Sequence, residues 1–284
     1  MEILLTGATG LIGSAIAKNL KLEGISFFTL ENSLKEKTSS KVDLITEKLR
    51  GNYEIIIHCA AVMPSKENDL NKVAQLNTII DNNILQNARS NNSRLIYISG
   101  TSVYTFDGSK KMNEEENITS FSNKYFEQKY NSERLFLSRL NNTVVLRVSA
   151  PYHYEMKANT VLKIFINNAL QNKDITYDGY GLREQDFTHV DDISRAVLKT
   201  IEKQKIHGIF NIASGKAISM KKLARLIQQK THNCKSIIKS SGKIDSQEHY
   251  KAYIDVTKAK IELGWMAEIL IENGIEEWIN NSSL

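Results

Sequence analysis

Two stretches of this chain, EIIIHC (54–59) and RLIYIS (94–99), are apolar almost without interruption. A strand with one wet face alternates apolar and polar residues, so continuous runs fit strands covered on both faces. A parallel sheet with crossover helices on its two sides meets that requirement. ILLT (3–6), ISFFTL (25–30) and NTVVLRV (142–148) are further short β-rich runs, separated by helical patterns from Leu11 to about Glu23, over 70–91 and over roughly 122–140. The alternation predicts an α/β protein built on a doubly wound parallel sheet.

Beyond Pro151 the texture changes. Helices around 158–171, 191–204 and 219–230 alternate with short strands DITYDG (174–179) and GIFNIA (208–213), and a polar segment covers 233–250. Two domains are expected: a cofactor-binding domain over 1–150 and a smaller C-terminal α/β lobe over 151–284 that takes the substrate. With 284 residues, 41% hydrophobic and 24% charged, the chain can bury a full core and carries no signature of disorder. Its net charge of +5 comes from lysines and arginines scattered among acids, which speaks against a nucleic-acid partner. No apolar run is long enough for a bilayer, and no charged-then-apolar leader precedes MEILL. Cys59 and Cys234 lack metal-ligand spacing. A reduced, cytoplasmic protein without metal or membrane association is therefore expected.

TGATGLIG (6–13) joins the first strand to the first helix and places glycines at 7, 10 and 13. Gly7 permits the tight turn, Gly10 lets backbone N–H groups approach a pyrophosphate, and Gly13 lets helix and strand pack closely. The helix N-terminus adds partial positive charge beside Leu11 and Ile12. This is the phosphate turn of a Rossmann-type sheet, in the spacing GxxGxxG. Glu31 ends the next strand, where a carboxylate accepts hydrogen bonds from an adenosine ribose diol and repels a 2′-phosphate. NAD is thus favoured over NADP. Asp43 and Leu44, at the end of a short third strand, would flank the adenine.

YFEQKYNSERL (125–135) puts Tyr125 and Lys129 at i and i+4 on one helix face. A phenol with pKa near 10 needs roughly 3 units of depression, about 4 kcal/mol, to work as a base at neutral pH. A unit positive charge at about 4 Å contributes on the order of 4 kcal/mol near a protein surface. A lysine beside the phenol and an oxidised nicotinamide would suffice.

Taken together, TGATGLIG, HCAA (58–61), Asn77, YISGTSVY (97–104), Tyr125-x-x-x-Lys129 with Glu133, QDFTHVDD (185–192), FNIASG (210–215) and DVTKAKIELGW (255–265) resemble the extended short-chain dehydrogenases/reductases, in their nucleotide-sugar epimerase/dehydratase branch. The likeness covers nearly the whole chain. It implies NAD in the N-terminal sheet, contacted by Cys59, Ala60, Ala61, Asn77 and Ser99 as well as by the glycine turn. It further implies a nucleotide sugar in the cleft, Tyr125 as acid/base, Lys129 holding the ribose, and a homodimer through the helices near 70–91 and 122–140.

Three positions depart from the family pattern. The hydroxyl that partners the tyrosine stands where this chain has Gly100; Ser102, and after it Thr101, are the candidates to replace it, on the reasoning that position 102 shares a face with position 100 if the strand continues. Gln185 occupies the place of a diphosphate-binding arginine, and Ala150 that of an asparagine. Arg183, Lys243 or Lys251 would have to supply the missing cation, so Arg183 and Gln185 are the substrate-binding candidates. His58, ending an apolar strand, and His189, preceding a helix start at Asp191-Asp192 that reads as an N-cap, are taken as structural. The expected activity is NAD-dependent hydride transfer at a ring carbon of a nucleotide-linked sugar, by a C4 epimerase or a 4-keto reductase. The alternative is a non-catalytic NAD-binding sensor or partner subunit with a degenerate site.

Overall fold

The computed structural model describes residues 1–30, 42–65 and 68–282. Six strands form the central sheet: β1 (Ile3–Thr6), β2 (Phe28–Thr29), β3 (Ile55–His58), β4 (Arg94–Gly100), β5 (Thr143–Val148) and, from far along the chain, a strand at Gly208–Ile212. All adjacent pairs are parallel, in the order 208–212, β5, β4, β3, β1, β2. Every residue of β1, β3 and β5 is buried, as strands covered on both faces require. Helix α1 (Leu11–Leu22) lies on one face, and α2 (Leu70–Asn91) and α3 (Lys124–Arg139) pack together on the other.

After β5 come β6 (Pro151–Tyr152), α4 (Val161–Leu170), β7 (Ile175–Tyr177), β8 (Glu184–Asp186), β9 (Thr188–His189) and α5 (Val190–Glu202). The strand at 208–212 is β10; it precedes β11 (Ala217–Ser219), α6 (Met220–Lys230), β12 (Ile238–Ser240) and α7 (Ile271–Ser282). A second apolar core gathers α4, α6 and α7, with Leu162, Phe165, Leu223, Ile227 and Trp278 inside it. The polar stretch 233–250 contributes β12, which pairs with β7.

Three local expectations are corrected. GIFNIA belongs to the main sheet rather than the smaller lobe: β10 pairs with β5, and the preceding α5 packs on α1, burying Ile193, Val197 and Ile201 beneath the same sheet. The chain beyond 150 therefore returns to the main sheet before completing the second apolar core. No third strand ends at Asp43. Its carboxylate accepts from the Ile45 N–H at 2.9 Å and the Thr46 hydroxyl at 3.1 Å, closing a turn that competes with any ladder. Finally, β4 does not run on past Gly100; the chain winds into a single 3₁₀ turn over Thr101–Val103. Among the described residues no helix is long and apolar enough to cross a membrane.

Candidate active site

The order β2, β1, β3 means that the chain leaves β1 toward one edge and returns beyond it toward the other. A crevice opens at the carboxyl ends of β1 and β3, the place where such sheets bind ligands. Gly7 turns the chain there with φ of +70°, and the Gly10 N–H donates to its carbonyl at 3.0 Å. A Cβ on Gly7 would lie 2.7 Å from the backbone nitrogen of Ala60, and one on Gly13 would run into the Gly7 carbonyl oxygen far inside van der Waals contact. The turn thus fits only without side chains. Gly10 is the N-cap of α1, no side chain caps that end and no acid occupies its first turn, so the helix N-terminus is left to an anion.

These residues line a cavity of about 750 Å³ together with Leu11, Ile12, Cys59, Ala60 and Ala61. Its far wall comes from the smaller lobe and includes Ala150, Met156, Thr160, Arg183 and Gln185. A smaller cavity of about 200 Å³ beside it is lined by Thr6, Gly7, Leu30, Asp43, Leu44 and Ala60. Asp43 and Leu44 are thus near the crevice as expected, but on a turn. Glu31 lies outside the described residues.

Beneath the crevice a buried polar chain holds the two strand ends together. The Thr6 hydroxyl oxygen accepts the N–H groups of Cys59 and Ala60, both at 3.2 Å, and pairs with His58 Nδ1 at 2.8 Å. Since Thr6 donates its proton to Nδ1, His58 carries its own on Nε2 and gives it to Asp81 at 2.9 Å. Asp81 also accepts from Gln128 at 2.7 Å and Ser132 at 2.5 Å. Burial works against its charge, but the His58 hydrogen bond, the Lys129 charge and the Ser132 hydrogen bond outweigh burial and hold the carboxyl below its ordinary range. Asn77 does not reach the cavity; its amide clamps the loop after β3 through Val62 N at 2.7 Å and Val62 O at 3.0 Å.

Helix α3 presents Tyr125 and Lys129 from its buried face. The Asn123 side chain caps it, accepting from Tyr125 N at 3.0 Å and Phe126 N at 3.1 Å. The Tyr125 hydroxyl points at the thioether of Met63, 3.5 Å away, and Met63 lines the large cavity. Lys129 lies with Nζ 4.7 Å from the centre of the Tyr97 ring and 3.5 Å from the carbonyl of Ile98, another cavity residue. A buried ammonium with one long hydrogen bond has donors to spare for a diol, and the uncapped helix end suits a diphosphate. The residues present fit a dinucleotide.

Ser99 is committed elsewhere. Its hydroxyl donates to Glu133 at 2.5 Å, and Glu133 forms a forked pair with Arg147, Nη2 to Oε2 at 2.6 Å, both partners fully buried. Arg147 in turn donates to the Tyr104 hydroxyl at 2.8 Å, which donates to Asn211 at 2.8 Å. This lattice pins the 3₁₀ turn between α3 and β10. Within the turn Thr101 is 4% exposed, whereas Ser102 is only half buried. A Cβ built on Gly100 would lie 3.1 Å from Ser102 Oγ. The alternation that pointed to Ser102 does not apply past Gly100; the turn instead sets the Ser102 hydroxyl beside the space a side chain at 100 would enter.

On the substrate side Arg183 and Gln185 stand two residues apart and both line the cavity. Arg183 donates to Gln247 at 3.0 Å and lies 3.6 Å from Asp245. Lys251 is held by Glu184 at 3.5 Å and by the Leu182 carbonyl, so it is not a free cation for the cleft. Sequence reasoning did not single out Thr6, Met63 or Asp81. Asp81 was findable, since it lies four residues after Asn77 on the same helix face; nothing local marks Met63.

Residues 1–261 match the RmlD substrate binding domain family. The chain belongs to this family. Within reach of it in sequence are the dTDP-4-dehydro-6-deoxyglucose reductase of Escherichia coli, 25% identical over 98% of this chain and 96% of that protein, and the mouse methionine adenosyltransferase 2 subunit beta, 26% identical over 97% and 86%. In structure the chain is similar to the UDP-N-acetylglucosamine 4-epimerase of Bacillus cereus, with a TM-score of 0.84, 22% identity and coverage of 100% and 96%. That likeness extends over the Rossmann-type sheet seen here.

Proposed function

We propose that this protein is an NAD-dependent oxidoreductase that reduces or epimerises a nucleotide-linked sugar at a ring carbon, as a 4-keto reductase or a C4 epimerase. The observation that carries the reading is the meeting, on one cavity of about 750 Å³, of the glycine turn with the Met63 and Ile98 wall behind which Tyr125 and Lys129 present their polar ends. The sugar-nucleotide activities named for relatives that span nearly the whole chain support it.

Gly7, Gly10 and the first turn of α1 would hold the dinucleotide pyrophosphate, Leu44 and Asp43 would flank its adenine, and Glu31 would select NAD over NADP. When bound, the nicotinamide supplies or accepts the hydride. Lys129 would hold the ribose. Tyr125 then gives a proton to, or takes one from, the sugar oxygen at the reacting carbon. Ser102 donates a hydrogen bond to that oxygen in place of the absent hydroxyl at 100, with Thr101, more deeply buried, behind it in rank. Arg183 and Gln185 face the diphosphate of the substrate, in a substrate lobe made from residues 151–284 outside α5 and β10. We place the protein in the cytoplasm, as a homodimer through the outer faces of α2 and α3, to be checked by sedimentation.

The test is oxidation of NADH by purified protein against a panel of nucleotide-linked 4-keto sugars, with hydride exchange between labelled NAD and nucleotide hexoses as the epimerase arm. Turnover that disappears in Tyr125→Phe supports the proposal. A second reading, a non-catalytic binding subunit, is favoured by Gly100 and by the mouse relative named as a subunit. NAD binding without turnover on any nucleotide sugar would establish that reading instead.

A further inference from the structure

We infer that His153, His189 and Glu277 form a binding site for a borderline divalent cation of the Zn²⁺ class, none of the three lining the cavity of about 750 Å³ at the glycine turn. β6 and β9 run side by side with Tyr152 opposite His189, which sets the ring of His153, the next residue, 5.4 Å from that of His189. Helix α7 lays Glu277 across the pair. His189 Nε2 lies 3.3 Å from the Glu277 carboxylate and His153 Nε2 4.0 Å from it, and one ligand atom from each of the three residues falls within 4.8 Å of the others. Bonds of about 2.0–2.1 Å in a tetrahedral set need donor atoms roughly 3.4 Å apart. A contraction on the order of 1 Å, within side-chain reach, closes the site.

The surroundings are those of metal-bound imidazoles. Behind each ring a second carboxylate faces Nδ1: Glu155 at 3.5 Å behind His153, and Asp191 at 3.8 Å behind His189. A ligating imidazole gives its other N–H to such a group, which fixes the tautomer and raises its basicity. In the metal-free protein both Nδ1 atoms accept instead from backbone, Glu155 N at 3.4 Å and Asp191 N at 3.3 Å. Both contacts are long, so little is lost when the proton moves from Nε2 to Nδ1 and turns to the carboxylate. Two imidazoles and one carboxylate select Zn²⁺, Co²⁺ or Ni²⁺ over Mg²⁺ or Ca²⁺. His153, together with the Glu155 and Asp191 carboxylates behind the two rings, also lines a cavity of about 380 Å³. The cation would tie α7 of the smaller lobe to the start of α5 under the main sheet.

Tag-free protein, stripped with chelator, is titrated with Zn²⁺ by calorimetry and with Co²⁺ by visible absorption. One equivalent bound, a Co²⁺ d–d spectrum showing nitrogen ligation, and a raised Tm with Zn²⁺ but not Mg²⁺ are expected. His153→Ala and the volume-conserving Glu277→Gln should each weaken binding by roughly a hundredfold, and Glu155→Gln, behind His153, by roughly tenfold. Absence of stoichiometric binding to the folded wild type overturns the proposal, as does Zn²⁺ affinity that survives in either ligand variant, or an equal response to Mg²⁺.

Discussion

Position 100 is where the proposed role of Ser102 can be tested by exchange of side chains. Gly100 has φ of −138° and ψ of 148°, an extended geometry open to any residue, so glycine is not required there by the backbone. What a side chain would meet is Ser102 Oγ, 3.1 Å from its Cβ. Ser102→Ala should slow the hydride step roughly tenfold or more, the worth of a hydrogen bond to a charge-bearing oxygen. Adding Gly100→Ser to that variant should restore part of the rate, because the alanine vacates the space. Gly100→Ser alone, crowding an occupied position, should gain nothing. Single-turnover kinetics of the three variants checks this. A silent Ser102→Ala would pass the role to Thr101. Tyr125→Phe, in contrast, should abolish turnover while NAD affinity, measured by calorimetry, stays within a few-fold.

At the scale of elements, α1 and α3 divide the labour. The start of α1 is defined by closeness: Gly13 packs against Gly7 so tightly that Gly13→Ala must push helix and turn apart. Loss of detectable NAD binding with a still folded protein is the expected result, read by calorimetry and circular dichroism. Helix α3 buries Tyr125, Gln128, Lys129, Ser132, Glu133 and Phe136, the i, i+3, i+4, i+7 spacing of a single face. That face carries Tyr125, Lys129 and Glu133, the last of them the anchor for Arg147. Glu133→Gln leaves a buried guanidinium without its counter-charge and should cost about 3–5 kcal/mol in urea denaturation.

For the whole molecule, Asp186 links the smaller lobe to the loop after β10, accepting from Ser214 N at 2.9 Å and Lys216 N at 3.0 Å. Burial outweighs those bonds and pushes its carboxyl up to about 6. The folded pKa lies above the unfolded one of about 3.9, so between these values the folded state binds more protons and stability falls as pH rises. Relative to Asp186→Asn, the wild type should therefore gain about 2 kcal/mol as the pH is lowered from 7 to 4. Asp81 has the opposite sign: its contribution is present above about pH 4 and is lost below it, as the pH falls through its depressed folded pKa. Denaturation curves of both proteins at several pH values test the difference; parallel curves would contradict the assignment to Asp186.

The positions of the central strands up to β5, the glycine turn and the helix that bears Tyr125 and Lys129 were legible in the sequence, because each rests on short-range regularities: unbroken apolar runs, glycine spacing, an i, i+4 pair. Contacts between residues far apart in the chain were not. That β10 would close the main sheet beside β5, and that His58 would join Thr6 to Asp81, depend on which distant segments meet, and sequence periodicity has no term for that. Ser102 shows both limits: strand alternation named it for a reason that ends at Gly100. The 3₁₀ turn, pinned by Arg147, Tyr104 and Asn211 from three separate stretches, is what brings its hydroxyl there. Local pattern determined the elements; only long-range packing decided where their side chains converge.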